Sequence, residues 1–238
     1  MSDRSRPASP GRASHGGQAG QAGQVRHEGT RQKAFGQDHP RNVVDRFGFW
    51  LSEVRIRRSA GGWAGKAVAD VGCGFEAPLA RAILGAGAAS VTLVDLALAD
   101  DLKADPRVTA IEGILPDALV RIPSASLDVV VCNNVLEHLW QPRAALEHVR
   151  RVLRDGGVAL LNVPSWRGKY FLELGAFTLH VVPEREIDDH KRYYSPRELW
   201  TLLVESGFRP IEIERCHTHK FGLNTYAECR VRSAGGQP

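Results

Sequence analysis

Three groups of residues in this sequence have the types and spacing of a reactive site. The first is Val68-Ala69-Asp70-Val71-Gly72-Cys73-Gly74, followed by Asp95. Glycines at a strand-to-helix turn let backbone N–H groups approach a ligand with no Cβ in the way, and the helix behind them offers its positive end. An acidic residue at the tip of the next strand, about 20 residues on, is placed to accept hydrogen bonds from ribose hydroxyls. Together these point to a nucleoside ligand. Gly72-x-Gly74-x-x-Ala77 also fits a dinucleotide fingerprint, so the group alone does not separate the cofactors that carry a nucleoside. The second group is a pair of histidines, His138 in Val135-Leu136-Glu137-His138-Leu139-Trp140 and His190 in Asp188-Asp189-His190-Lys191-Arg192-Tyr193-Tyr194. Histidine exchanges protons near neutral pH. The third, Cys216-His217-Thr218-His219 with Cys229, has metal-capable atoms. Neighbouring strand residues point to opposite faces, however, and no zinc spacing is matched, so no metal site is expected.

The elements that must position these residues follow a clear rhythm. Ala67 to Val71 reads as a strand closing on the glycine turn, and Pro78 to Leu84 as a helix stopped by Gly85 and Gly87. Ser90 to Leu96, Arg107 to Glu112, Leu127 to Cys132 and Val158 to Val163 read as further strands. Ala144 to Leu153 is a helix ended by Asp155-Gly156-Gly157. The apolar runs are continuous rather than alternating, so the strands are covered on both faces and the sheet is parallel. That describes a doubly wound α/β domain. Ahead of it, Val43, Val44, Phe47, Trp50, Leu51 and Val54 recur at three-to-four-residue spacing, the mark of an amphipathic helix ending at Gly61-Gly62. Residues 165 to 191 form an insertion rich in aromatic and charged side chains. Trp50, Trp166, Phe171 and Phe177 either wall an apolar pocket or fill its interface with the sheet. Ser195-Pro196-Arg197-Glu198 is a capping box opening a helix that runs to Ser206 and is stopped by Gly207. Ile211 to Arg215 and Tyr226 to Val231 alternate apolar and polar, as two terminal strands would, one of them antiparallel and at an edge.

Composition bounds the class. The 238 residues are 43% hydrophobic and 24% charged, ordinary for a soluble globular chain. No stretch approaches the roughly 18 to 20 apolar residues of a membrane span. The arginines near Met1 have no apolar run behind them, against a secretory signal. Cys73, Cys132, Cys216 and Cys229 lack close pairing and read as reduced thiols, so a cytoplasmic location is expected. Residues 1 to 41 hold seven of the 31 Lys/Arg and three of the 27 Asp/Glu, which leaves 24 of each in the remainder. The whole net charge of +4 therefore belongs to the leader, and the domain has no basic footprint to spare for a phosphate backbone. Residues 1–40 are expected to be a disordered basic leader, and 41–238 a single domain.

With its motifs in order, the chain resembles the class I S-adenosylmethionine-dependent methyltransferases. The likeness rests on Asp70-Val71-Gly72-Cys73-Gly74, Leu93-Val94-Asp95, Leu127 to Cys132, Val135 to Leu139 and Arg151 to Val158, and covers residues 43 to 231. The nearest group is the small-molecule one that includes quinone-biosynthesis methyltransferases. The resemblance implies a Rossmann-like, doubly wound, seven-stranded, mostly parallel sheet with an antiparallel C-terminal strand, an N-terminal helix and a substrate-cap insertion. It implies S-adenosyl-L-methionine as cofactor. Asp70, Gly72 and Gly74, with Cys73 between them, would lie along its methionine part. Asp95 would take the ribose, Leu96 would sit beside the adenine, and Asn133 would approach the sulfonium and amino-acid portion. One departure stands out: many relatives carry an acidic residue after the glycine that follows strand three, whereas Glu112-Gly113 is followed by Ile114.

Methyl transfer from a sulfonium is positioning catalysis, and a base is needed only for an acceptor that arrives protonated. His190 is preferred for that role because the insertion before it is the expected substrate cap, with Tyr193 or Tyr194 as an orienting hydroxyl and His138 as the alternative base. An NAD(P)-dependent oxidoreductase would explain Gly72, Gly74, Ala77 and Asp95, but it lacks a Tyr-x-x-x-Lys pair. A non-catalytic binding module is the third possibility. Cys132-Asn133-Asn134-Val135 lacks the pattern of base-amine methylation and no Pro-Cys pair occurs, so a small-molecule acceptor and no nucleic acid are expected.

Overall fold

The structure, a computed structural model, describes residues 33–37, 54–173 and 190–233. Residues 54–59 are helical (α1) and the chain turns at Ala60 and Gly61; the rest of the expected amphipathic helix, with Trp50, lies outside the described residues. Then follow β1 (Ala67–Val71), α2 (Pro78–Gly85), β2 (Ser90–Asp95), α3 (Asp100–Ala104), β3 (Val108–Glu112) and β4 (Leu127–Asn133). The second half holds α4 (Pro142–Val152), β5 (Leu153–Pro164), α5 (Trp166–Glu173), α6 (Pro196–Glu205), β6 (Ile213–His219) and β7 (Asn224–Arg230).

The seven strands lie in the order β3-β2-β1-β4-β5-β7-β6. β1 to β5 are mutually parallel, and β7 runs antiparallel to both neighbours. Alternate residues of the apolar runs feed two cores. Val68, Val91, Leu93, Val129 and Val131 pack with α2, Ile56 and Tyr226 on one face. Ala69, Val71, Val94, Val130 and Cys132 pack with α4 and α6 on the other. Continuous hydrophobicity is the price of two covered faces.

Three expectations are corrected. β5 starts at Leu153, five residues early, because Asp155-Gly156-Gly157 belongs to an irregular stretch of strand rather than to a helix stop. The register shifts between Leu127 and Val129, and Gly157 lies so close to the Arg154 and Leu127 carbonyls that a Cβ would clash at 2.8 and 3.1 Å. The antiparallel strand is not at the edge: β7 is interior and buried over Thr225 to Cys229, while β6 takes the edge. β6 also begins two residues late, since Pro210 to Glu212 forms a 3-10 turn in which the Glu212 carboxylate accepts the Arg209 amide at 2.9 Å.

Glu212 fastens this end of the sheet. It is fully buried and ion-paired with Arg150 of α4 at 3.2 Å and with Arg209 at 3.0 Å, and it accepts the Arg232 amide at 3.1 Å. Burial pushes its carboxyl up, but the amides of Arg209 and Arg232 and the two guanidinium groups outweigh burial and hold it below its ordinary value. A depressed carboxylate contributes stability above the usual carboxylate range and loses it as pH falls through its folded value. Glu212→Gln should therefore cost about 3 kcal/mol by urea denaturation at neutral pH, and the gap to the wild type should shrink under acid.

Candidate active site

Strand order reverses between β1 and β4, and at such a switch point the two following loops part and leave a crevice at the carboxyl ends of the strands. Most of the residues singled out from the sequence meet there. Gly72 and Gly74 have φ of +69° and +75°, conformations that side chains rarely adopt. Gly72 is also a close approach, since a Cβ on it would sit 2.3 Å from Cγ2 of Val135. That contact joins the glycine turn to the loop that carries His138.

The Asp95 carboxylate crosses from β2 to this turn. One oxygen accepts the Gly74 amide and the other the Leu96 amide, both at 2.7 Å. Charge-assisted bonds from two backbone amides fix the orientation of this carboxylate. α2 begins behind the turn with no side-chain cap: Ala77 is left-handed at φ 38° and Pro78 opens the helix. Asp70 is buried at 3% exposure. The Cys73 thiol is raised by burial and then by the charges of Asp70 and Asp95, and Cys132 is raised by burial and then by Glu137 and Asp70. Asp70, Asp95 and Glu137 thus place three carboxylates around the crevice. Cys73 itself turns its sulfur toward the Val94 carbonyl at 3.9 Å and packs in the core, so its backbone is what faces the turn. Glu112 is not available nearby: it accepts the Leu98 amide at 2.8 Å and pairs with Lys103 at 2.7 Å, while Ile114 is 54% exposed.

Residues 33–37 fall within the expected leader, 1–40. They form a turn in which Ala34 is buried, and the Phe35 carbonyl accepts the Phe75 amide at 2.9 Å, directly on the glycine turn. The remainder of the leader lies outside the described residues.

Beyond Val135 the chain makes a single 3-10 turn, Leu136–His138. The two histidines that the sequence offers as alternatives are in one cluster, with ring centroids 4.8 Å apart. His190 Nδ1 lies 3.2 Å from the Tyr193 hydroxyl, and the Tyr193 ring is 5.7 Å from Trp166. Tyr194 is elsewhere, buried in the core with its hydroxyl on the Leu136 carbonyl at 3.4 Å and raised to about 12, chiefly by burial. Of the expected pocket walls, Trp166 is half-exposed and anchored by its indole N–H to Glu198 at 2.9 Å; Phe177 and the Phe171 side chain lie outside the described residues.

Sequence reasoning missed Glu137 and Asn162. Glu137 is 1% exposed, and its acceptor atoms lie within 4.8 Å of those of His138 and His190. This trio has the donor makeup of a two-histidine, one-carboxylate cation site as well as that of a proton relay. Asn162 donates to Asn133 at 2.9 Å and to Asn134 at 3.2 Å, tying the end of β5 to the end of β4. The detectable sign was an amide inside the otherwise apolar run Val158 to Val163. The Cys216 to His219 run is taken apart by the pleat: the Cys216 sulfur meets the Pro196 carbonyl at 3.2 Å, while His217 and His219 flank Tyr226.

A switch-point crevice with a glycine turn, a pinned acidic residue on β2 and an acidic lining defines a nucleoside-binding α/β protein. A pattern described as "Methyltransferase domain" matches residues 43–213. The chain belongs to this family, within the class I S-adenosylmethionine-dependent methyltransferases. It is 32% identical over 168 residues to a ubiquinone biosynthesis O-methyltransferase of Psychrobacter arcticus, covering 66% of this chain and 64% of that one. It is 33% identical over 178 residues to a probable S-adenosylmethionine-dependent methyltransferase of Mycolicibacterium smegmatis, covering 71% and 62%. The chain thus spans a little under two thirds of the length of both relatives. Among solved structures, a Burkholderia thailandensis 1,6-didemethyltoxoflavin N1-methyltransferase holding its substrate and S-adenosylhomocysteine shares the fold at TM-score 0.55 and 17% identity, covering 80% and 84%. So does the 4+2 cyclase SpnF, at TM-score 0.58 and 13% identity, covering 83% and 86%. The fold therefore serves more than one chemistry, and activity has to be argued from the site. None of these matches is to an oxidoreductase.

Gly72→Ala should cost about 3 kcal/mol in urea denaturation, because a left-handed backbone and a clash with Val135 add together. Gly156→Ala, at φ +77° but with nothing within 4 Å, should cost only about 1 kcal/mol.

Proposed function

We propose that this protein transfers the methyl group of S-adenosylmethionine to a small-molecule acceptor held beside Glu137, His138, His190 and Tyr193. The observation that carries the reading is Asp95, a β2-terminal carboxylate held on both oxygens by the amides of Gly74 and Leu96. The residues fit the cofactor. Asp95 would hold the ribose, Leu96 and the exposed Ile114 would flank the adenine, and the backbone of Gly72 to Gly74 with Asp70 and Asn133 would take the amino-acid end. The acidic lining suits a molecule that carries both an ammonium and a sulfonium. When bound, the cofactor supplies an electrophilic methyl carbon on a good leaving group.

The protein's own task is then to orient the acceptor and to manage its proton. His190 Nδ1 is within 3.2 Å of the Tyr193 hydroxyl, so the tyrosine can fix the ring while the other ring nitrogen serves the acceptor. His138 stands against it and Glu137 is buried behind, a carboxylate able to stabilise an imidazolium. Trp166 and Tyr193 give the pocket an aromatic wall, which favours an uncharged or amphipathic acceptor. The name of the Psychrobacter arcticus relative, an O-methyltransferase, supports an oxygen nucleophile.

Asp95→Ala should weaken S-adenosylhomocysteine binding by about 3 kcal/mol, on the order of 100-fold, in calorimetry. An unchanged affinity would remove Asp95 from the site and the reading with it. His190→Ala should lower turnover about 100-fold while leaving cofactor affinity intact, and added imidazole should restore part of the rate. Turnover by the wild type should survive exhaustive chelation; a strict need for an added divalent ion would reassign the trio to cation binding.

A further inference from the structure

A polar row leads away from the crevice across the sheet and ends at an arginine that no carboxylate meets. Strand register sets Asn133, Asn162, Tyr226 and His217 side by side on β4, β5, β7 and β6. Register partners share a face of the sheet, here the face on which Tyr226 packs with Ile56 of α1. Asn162 donates to Asn133 at 2.9 Å at the crevice end of the row. At the far end the half-buried Arg55 of α1 reaches over the sheet. Its guanidinium lies 4.9 Å from the centre of the Tyr226 ring, and its Nη2 is 3.1 Å from Nε2 of His217. An arginine only donates, so His217 accepts through Nε2 and is the neutral tautomer. Burial first, then the charges of Arg55 and Arg215, lower the His217 pKa in agreement.

Among the described residues no Asp or Glu pairs with Arg55. The bond to His217 engages one of the five N–H donors of a guanidinium, and the Nε donor is shut away from solvent without a partner. The Tyr226 hydroxyl is shut away as well, with Ser59 beside it. Glu228 acts electrostatically on both His217 and Tyr226, but its carboxylate is committed to Arg215 at 2.8 Å. Donors withdrawn from water cost free energy until an acceptor meets them, and a guanidinium costs more than a neutral group. The local charge selects the acceptor. Arg215 and Glu228 offset each other and His217 is neutral, which leaves the single positive charge of Arg55. A carboxylate matches that charge and the forked guanidinium; a phosphate dianion would bring a second negative charge close to buried Glu228.

We propose that Arg55, Tyr226 and His217 form a binding site for the carboxylate of an amphipathic small molecule, with Arg55 as its counter-ion and the Tyr226 hydroxyl as a second donor. The row runs back to Asn133 over two strand spacings, about 10 Å. A methyl acceptor reaching from the crevice would therefore be gripped by a carboxylate at the end remote from its nucleophile. That consequence rests on the methyl-transfer reading above; the carboxylate site does not, and it is measured without cofactor or turnover.

The full chain is titrated with phenylacetate and with its neutral counterpart phenylacetamide, and binding is read from the ligand protons by NMR. Phenylacetate is expected to bind, and the amide about tenfold more weakly. Arg55→Gln should lower phenylacetate affinity about 30-fold; Tyr226→Phe, which keeps the ring and removes only the hydroxyl, should lower it about fivefold. Both variants should bind S-adenosylhomocysteine as the wild type does, which shows that they are folded and that the site is not the one for the cofactor's own carboxylate. Should Arg55→Gln fail to fold, Arg55→Lys and Tyr226→Phe carry the test. Asp95→Ala should lose S-adenosylhomocysteine and keep phenylacetate, so a failure of the cofactor reading is told apart from a failure here. Absence of phenylacetate binding overturns the proposal, as does equal affinity for the amide or for the folded Arg55 variants. A folded Arg55 variant that loses S-adenosylhomocysteine overturns it too, by assigning the arginine to the cofactor.

Discussion

The two hydrogen bonds that Asp95 accepts from Gly74 and Leu96 organise everything around the crevice. They bind the end of β2 to the turn after β1 and fix the orientation of the carboxylate. Backbone amides are the right donors for this purpose. They have no rotamers to lose, so the carboxylate is oriented before any ligand arrives. The same turn is fixed from the other side by the Val135 side chain packed on Gly72. The glycine turn and the loop that carries His138 therefore meet at a glycine that tolerates no side chain.

The cluster around His138 and His190 is built differently. Its groups come from three places in the chain: the 3-10 turn after β4, the segment at His190 to Tyr194 before α6, and the start of α5. They are held by a few specific bonds. The Lys191 amide donates to the Glu137 carbonyl at 2.8 Å, and the Tyr194 amide donates to the Pro164 carbonyl at 3.0 Å. The capping box of α6 contributes too, since Glu198 closes back on Ser195 and receives the Trp166 indole as well. One carboxylate thus starts a helix and holds the Trp166 indole.

The sheet was legible in the sequence because its cause is local. Strands buried on both faces must be apolar at every position, and the runs at Ala67, Ser90, Leu127 and Val158 have no other economical reading. The misread boundaries share a different cause. Asp155-Gly156-Gly157 carries the same residues whether a helix is ending or a strand is bulging, and only pairing with β4 and β7 chooses between them. Likewise Ile211 alternates convincingly with its neighbours, but the reach of the Glu212 carboxylate to the Arg209 amide closes a turn before the strand can begin.

The residues around the glycine turn were also readable, since each sits at a fixed offset from a strand end: Asp70, Gly72, Gly74 and Asp95 are placed by the geometry of consecutive βα units. The sequence by itself determined the parallel sheet, its glycine turn and the acidic tip of β2, because period and offset encode them. It could not decide that His138 and His190, 52 residues apart, lie in one cluster, that Tyr193 rather than Tyr194 joins it, or that Glu137 lies beside them. Those are long-range contacts, set by where residues 190–194 pass the end of β4, and no local pattern carries them.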